Sequence, residues 1–182
     1  MRNLIFAINM TLDGCCDHTK TIGDEEIHEY FTDLLRDVGL LVFGRKTYEL
    51  MVPFWPEVAK SHSMAKAAND FADAFDPIKK IVFSRSLDRA EQNTRIVRDN
   101  LREEILKLKQ EQGKKILTGG VNIPSQLIEL GLVDEFLFVV QPIVVGEGRR
   151  LLEGTSLPAR LQLKLVESRI FKSGCVALRY LK

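Results

Sequence analysis

The sequence predicts an α/β fold on a mostly parallel sheet with antiparallel C-terminal strands, and three observations carry that prediction. Short apolar runs of β character, at residues 2–8, 40–43, 80–84, 94–97, 115–117 and 136–140, are separated for the most part by amphipathic helical segments, the rhythm of parallel strands joined by helical crossovers. The first of these runs is apolar without alternation, as in strands covered on both faces. Beyond residue 160 the pattern changes to two β-like runs, 166–171 and 175–180, split by Ser173-Gly174 as in a hairpin. With 182 residues and 20.7 kDa, one domain spanning 1–182 can bury a core without disulfide or metal staples.

The elements follow in order. The first strand covers residues 2–8, and Thr11-Leu12-Asp13-Gly14 then leaves the sheet edge. Asp24 is the N-cap of a helix with Glu25 and Glu26 in its first turn; Ile27, Tyr30, Phe31, Leu34, Leu35 and Val38 recur at helical spacing until Gly39. Strand 40–43 runs directly into Gly44-Arg45-Lys46-Thr47-Tyr48-Glu49, a glycine turn with a helix start. Pro53-Phe54-Trp55-Pro56 is a loop holding the single tryptophan; Met64, Ala68, Phe71 and Phe75 mark a helix ended by Asp76-Pro77. Strand 80–84 ends in Ser84-Arg85-Ser86, strand 94–97 follows, and Asn100 caps a helix through Leu108 that stops at Gly113. Strand 115–117 enters Thr118-Gly119-Gly120, and Pro124 opens the next helix. Strand 136–140 is extended by residues 142–145 toward Gly146-Glu147-Gly148; Leu161, Leu163 and Leu165 then alternate with other residues ahead of the hairpin.

Composition narrows the function. A net charge of +1 provides no field for nonspecific binding of nucleic acid or anionic membrane, so neither is an expected partner. No run approaches the roughly 20 apolar residues of a membrane span, and the apolar start leads into Thr11-Leu12-Asp13-Gly14 instead of a cleavage site. The cysteines, Cys15, Cys16 and Cys175, are odd in number and form no disulfide framework, which fits a reducing cytoplasm; without His or Cys at ligand spacing they form no expected metal site.

Chemistry is expected where strands end. In open α/β sheets ligands gather beyond the carboxyl ends of parallel strands. Thr11 and Asp13 follow the first strand, Gly44, Arg45, Lys46 and Thr47 the second, Ser84, Arg85 and Ser86 the third, and Thr118, Gly119, Gly120, Val121 and Asn122 the central one. Paired glycines let a backbone approach a ligand, and the helix beginning beyond them offers N–H groups to an anion; the plainer alternative is a sharp βα connection. Arg45 and Lys46 sit at a positive helix end and call for an anion unless they are simply solvated. Cations and hydroxyls mixed in this way suit an elongated ligand with several phosphates. Neither the Walker loop nor G-x-G-x-x-G occurs.

Three segments, 41–49, 81–86 and 116–120, resemble in the same order the NADPH-binding segments of dihydrofolate reductases. Thr11-Leu12-Asp13-Gly14, the run 131–135 and Gly146-Glu147-Gly148 are more similar to the reductase domain of the riboflavin-pathway bifunctional deaminase-reductase. The resemblance implies a dihydrofolate reductase-like three-layer αβα fold and NADPH as cofactor. It also implies that Gly44, Arg45, Lys46 and Thr47, with Gly119, Gly120, Val121, Asn122 and Ile123 next to Thr118, hold its phosphates. Ser84, Arg85 and Ser86 would reach the adenosine 2′-phosphate, and Ala7 and Ile8 would flank the nicotinamide.

For the reaction, Asp13 is the first candidate carboxylate, as a substrate contact or proton carrier, with a turn-forming Asp-Gly pair as the alternative; Glu147 is the second. Asn9, Thr11 and Trp55 are candidate substrate contacts, Trp55 equally a core plug. The pterin-binding acid of dihydrofolate reductases falls by spacing near His28, and Thr118 stands where the riboflavin-pathway reductases place an acid before the glycines. The expected function is NADPH-dependent reduction of a small heterocycle, resembling the 5-amino-6-(5-phosphoribosylamino)uracil reductase step. The alternatives are a dihydrofolate or pteridine reductase, or a non-catalytic NADP-binding protein, and the alternating C-terminal region suggests a homodimer.

Overall fold

The computed structural model describes residues 1–91, 93–155, 157 and 159–182. The chain is α/β, mostly parallel with antiparallel C-terminal strands, and divides into two compact units, residues 1–2 with 23–117 and residues 3–22 with 118–182.

In the first unit the strands are β2 (Val38–Gly44), β3 (Lys79–Phe83), β4 (Thr94–Val97) and β5 (Lys115–Thr118, whose last residue begins the second unit), in the order β4-β3-β2-β5. β2 runs parallel to β3 from Leu40↔Lys79 to Gly44↔Phe83, and β3 parallel to β4 from Lys80↔Thr94 to Phe83↔Val97. Helix α1 (Glu25–Arg36) starts where its cap predicts: the Asp24 carboxylate accepts from the Glu26 amide at 2.8 Å. It ends earlier than predicted, and Val38 and Gly39 are the first residues of β2. Gly39 is needed there for packing, since a Cβ would lie 3.1 Å from Lys114 Cβ.

Helix α2 (Arg45–Met51) has Gly44 as N-cap, as expected. The loop predicted at residues 53–56 is instead cut short by α3 (Trp55–Ser61), because Pro56 lies in a first turn, where the missing N–H breaks no helical bond. Helix α4 (Lys66–Phe75) turns Ala67, Ala68, Phe71, Ala72 and Phe75 inward and packs on α1. Its last carbonyls meet a buried cation: Lys80 Nζ donates to the carbonyl oxygens of Phe75 (3.2 Å), Asp76 (3.0 Å) and Ile78 (2.7 Å). Burial pushes this ammonium down to about 8. Helix α5 (Leu101–Gln110) ends before Gly113, and Asn100 precedes it in the left-handed conformation without a side-chain cap bond.

In the second unit β1 (Leu4–Thr11), β6 (Glu135–Gln141), β8 (Val176–Leu181) and β7 (Lys164–Ile170) lie in the order β1-β6-β8-β7. β1 reaches Thr11, beyond the predicted end at residue 8, because β6 pairs with it up to Thr11↔Gln141. β6 stops at Gln141, and residues 142–145 do not extend it, since Pro142 has no N–H to offer a ladder. Leu161 and Leu163 precede β7 and belong to no strand. The predicted hairpin is present: β7 and β8 are antiparallel, Gly174 takes φ +83°, and the Phe171 amide donates to the Cys175 carbonyl at 2.9 Å. Helix α6 (Asn122–Glu129) begins two residues before Pro124. On one sheet face the rings of Phe6, Phe136, Phe138 and Tyr180 pack edge-on or stacked; on the other, buried Glu135 is held by Arg179 and Asn3.

Candidate functional site

In the first unit two of the predicted cationic residues, Arg45 and Arg85, meet at one turn. Ser84 Oγ accepts from the amides of Ser86 (3.3 Å) and Leu87 (3.0 Å), closing the chain just after β3. From the start of α2, Arg45 donates through Nη1 to Ser86 Oγ at 2.7 Å and through Nε to Glu49 at 2.6 Å. Arg98, absent from the sequence-based candidates, donates through Nη1 to the carbonyl oxygens of Ser84 (3.2 Å) and Arg85 (3.1 Å). The signal for it was the parallel pair Phe83↔Val97, which sets the next residues, Ser84 and Arg98, side by side.

Arg85 and Lys46 are exposed and Thr47 is half-buried. Glu49, the ion-pair partner of Arg45, is the one acid that any of the three guanidiniums at this turn engages among the described residues. Excess positive charge beside hydroxyls is a donor set for a phosphate.

In the second unit the glycine pair serves two physical needs. Gly120 takes φ +83°, a conformation costly to other residues, and a Cβ on Gly119 would lie 3.4 Å from the Ala7 carbonyl oxygen, so the turn abuts β1. Among the described residues no side chain caps α6 at Val121, which leaves its first-turn amides suited to an anion; Thr118 and Ile123 are buried. Ala7 and Ile8 are adjacent strand residues, so their side chains point to opposite faces of β1. Asn9 shares the Ala7 face, and its buried Oδ1 has no hydrogen-bond partner among the described residues.

Thr11 and Asp13 form a knot. Fully buried Thr11 donates through Oγ1 to Asp13 Oδ1 at 2.6 Å and accepts from the Cys15 amide at 2.9 Å. Asp13 also accepts from the amides of Gly146 (2.8 Å) and Val145 (3.3 Å), and Arg150 Nη2 lies 3.5 Å away. These bonds, the Thr11 hydroxyl first, hold the Asp13 carboxyl down at about 2. It is ionised at neutral pH with both oxygens engaged, which favours the turn-building role over proton transfer. Glu147 is exposed and pairs with Lys20 at 3.3 Å. Cys15 is buried beneath Gly148, where an added Cβ would come within 2.5 Å of its sulfur, and burial pushes the Cys16 thiol up.

Trp55 packs edge-on against Phe71, with ring centroids 4.6 Å apart, and against His28 (5.9 Å) and Phe54 (5.0 Å). His28, at the spacing of the pterin-binding acid, is therefore part of an aromatic cluster.

Comparison with known proteins decides the family. Residues 2–177 match the RibD C-terminal domain. The chain belongs to that family. The RibD C-terminal domain chain is 33% identical over 183 residues to the uncharacterized protein YyaP of Bacillus subtilis (strain 168), covering 98% of this chain and 94% of that protein. It is similar to a protein from Shewanella sp. PV-4 provisionally named for riboflavin biosynthesis, with TM-score 0.72, 18% identity, and 100% and 98% of the two chains covered. Dihydrofolate reductase from Enterococcus faecalis, solved with NADP(H), matches with TM-score 0.62 and 14% identity over 98% and 95% of the two chains. At such identities the likeness is one of fold, and the fold is dihydrofolate reductase-like.

Proposed function

We propose that this RibD C-terminal domain protein is a single-domain NADPH-dependent reductase of a small heterocycle, resembling the 5-amino-6-(5-phosphoribosylamino)uracil reductase step of riboflavin biosynthesis. The observation that carries the reading is the turn at residues 84–87, where Arg45 and Arg98 converge and Arg85 is left exposed. A 2′-phosphate distinguishes NADPH from NADH, and guanidiniums with hydroxyls are its natural donors. In this reading Ser84, Arg85 and Ser86 with Arg45 and Arg98 bind that phosphate. In the first unit Lys46 and Thr47 are suited to a further phosphate; in the second, the amides of Gly119, Gly120, Val121, Asn122 and Ile123 are suited to another, and Ala7 lines the nicotinamide.

The geometry fits such a guest: the glycine backbone is free of side chains where it meets Ala7, and Asn9 presents an unpaired acceptor. When bound, NADPH supplies the hydride. The chain itself binds and orients: Asp13 fixes the loop at 145–146, Asn9 meets the heterocycle, and exposed Glu147, next along that loop, is the candidate for proton delivery. The test is oxidation of NADPH, followed by its near-ultraviolet absorbance, with 5-amino-6-ribosylamino-uracil phosphate, dihydrofolate and dihydropteridines. Turnover of a pyrimidine or pteridine supports the reading. Tight binding of NADPH with no turnover on any of them favours the second reading, a non-catalytic NADP-binding protein, for which the commitment of Asp13 to backbone amides speaks.

A homodimer in the cytoplasm completes the proposal. Every residue of β7 is exposed, including Leu165, Val166 and Ile170, an edge that pairing with a second copy would cover, and Cys15, Cys16 and Cys175 are free thiols. Light scattering that gives a monomer mass at micromolar concentration would remove the dimer.

A further inference from the structure

Three buried polar atoms among the described residues lack a hydrogen-bond partner: Asn9 Oδ1, Asp24 Oδ2 and Thr94 Oγ1. Asp24 already caps α1 through its other oxygen, and a Thr hydroxyl carries a single rotatable donor. Asn9 differs, because neither atom of its side-chain amide is bonded to any described residue. It lies within β1, opposite Val139 of β6, on the face shared with Ala7 and Thr11. Those neighbours cannot satisfy it. Ala7 and Val139 are apolar, and the Thr11 hydroxyl is spent on Asp13 and the Cys15 amide.

An amide placed on a mostly apolar strand with its oxygen buried and unpaired lowers stability, and native proteins retain few such atoms. Here the unpaired acceptor lies on the strand segment bounded by Ala7, against which the Gly119 backbone is pressed, and by the Thr11–Asp13 knot. A ligand seated against that segment would find one acceptor waiting.

We propose that Asn9 is the specificity-determining residue for the substrate, its Oδ1 accepting from an N–H on the edge of an amino- or lactam-bearing pyrimidine ring. The inference rests on the reading of the site as one for NADPH and a heterocycle, and it names the chemistry that the heterocycle must present. A site built around one buried acceptor discriminates strongly against a ring with no donor to match it.

The test uses the full chain saturated with NADP⁺, so that no turnover intervenes, and 5,6-diaminouracil as the probe, with affinities read by calorimetry. Asn9→Leu removes the acceptor at similar volume; Asn9→Asp keeps an acceptor. The expected result is a loss of about 10- to 100-fold in probe affinity for Asn9→Leu, with Asn9→Asp within about fivefold of the parent. NADP⁺ affinity stays within about twofold for both. Without ligands Asn9→Leu melts higher by about 2 to 4 °C, because the unpaired atom is gone, an increase that a residue kept only for folding would not give. Unchanged probe binding in Asn9→Leu, a lower melting temperature, or a loss confined to NADP⁺ would each overturn the proposal. Failure of the parent to bind the probe while binding NADP⁺ would overturn the substrate class alone. Failure to bind NADP⁺ would remove the underlying reductase reading.

Discussion

Arg98 Nη1 lies 3.2 Å from the carbonyl oxygen of Ser84, and the same nitrogen reaches the Arg85 carbonyl at 3.1 Å. One guanidinium thus fixes the backbone of a turn whose side chains, Arg85 and Ser86, are its most accessible groups. Arg98 has no acid partner among the described residues, so its charge is available to the same anion that Arg85 would meet.

Both arginines therefore carry cofactor preference in the proposed reading. Arg98→Met and Arg85→Ala are each expected to weaken NADPH by about tenfold while leaving NADH within about twofold, the loss of a charge-assisted contact to phosphate. Competitive calorimetry with the two nucleotides measures the ratio. An unchanged ratio in both variants would mean that the 2′-phosphate is read elsewhere.

The glycines rank by geometry. Gly120→Ala should cost about 1 to 2 kcal/mol, since it forces a Cβ residue to φ +83°. Gly119→Ala should cost less, its Cβ meeting only the Ala7 carbonyl at 3.4 Å. Gly148→Ala should cost the most, about 2 to 4 kcal/mol, because strain at φ +101° adds to a 2.5 Å approach to the buried Cys15 sulfur. Urea unfolding of the three variants gives the order directly.

Acid stability should depend on Asp13. Its folded value of about 2 lies below the ordinary 3.8, so its contribution is present above pH 3.8 and is lost as pH falls from there through 2. Asp13→Asn and Thr11→Val should both flatten the stability profile in that window, as followed by circular dichroism. A parent-like acid limb in both would show that the knot is not formed in solution.

Lys80 gives the opposite limb. Its folded value of about 8 lies below the ordinary 10.5, so between those values the unfolded chain binds more protons and stability rises with pH. Lys80→Met should abolish that rise. Lys80→Ala, which leaves the carbonyls of Phe75, Asp76 and Ile78 without their donor and opens a cavity, should cost about 2 to 4 kcal/mol.

Several local signals are legible in the sequence because they act through neighbours in the chain, although Asn100 makes no side-chain cap bond among the described residues. Asp24 caps α1, Gly44 precedes α2, and Ser173-Gly174 turns the hairpin, each by chemistry confined to a few residues. What escaped depends on partners far along the chain. Gly39 ends no helix, because its role is to admit the side chain of Lys114. Residues 53–56 read as a loop, although a first helical turn tolerates Pro56. Arg98 carries no motif of its own, and its place emerges only once β3 and β4 are paired. Asp13 was legible as a residue that matters, but its engagement by Gly146 and Val145, more than 130 positions away, was not.

The central claim is that the turn at residues 84–87 binds the 2′-phosphate of a nicotinamide nucleotide. Calorimetric titration of the full chain with NADPH and with NADH tests it most directly. The account predicts saturable binding of NADPH, at least tenfold tighter than NADH. Equal affinity for the two, or no heat from NADPH at millimolar concentration, would contradict it.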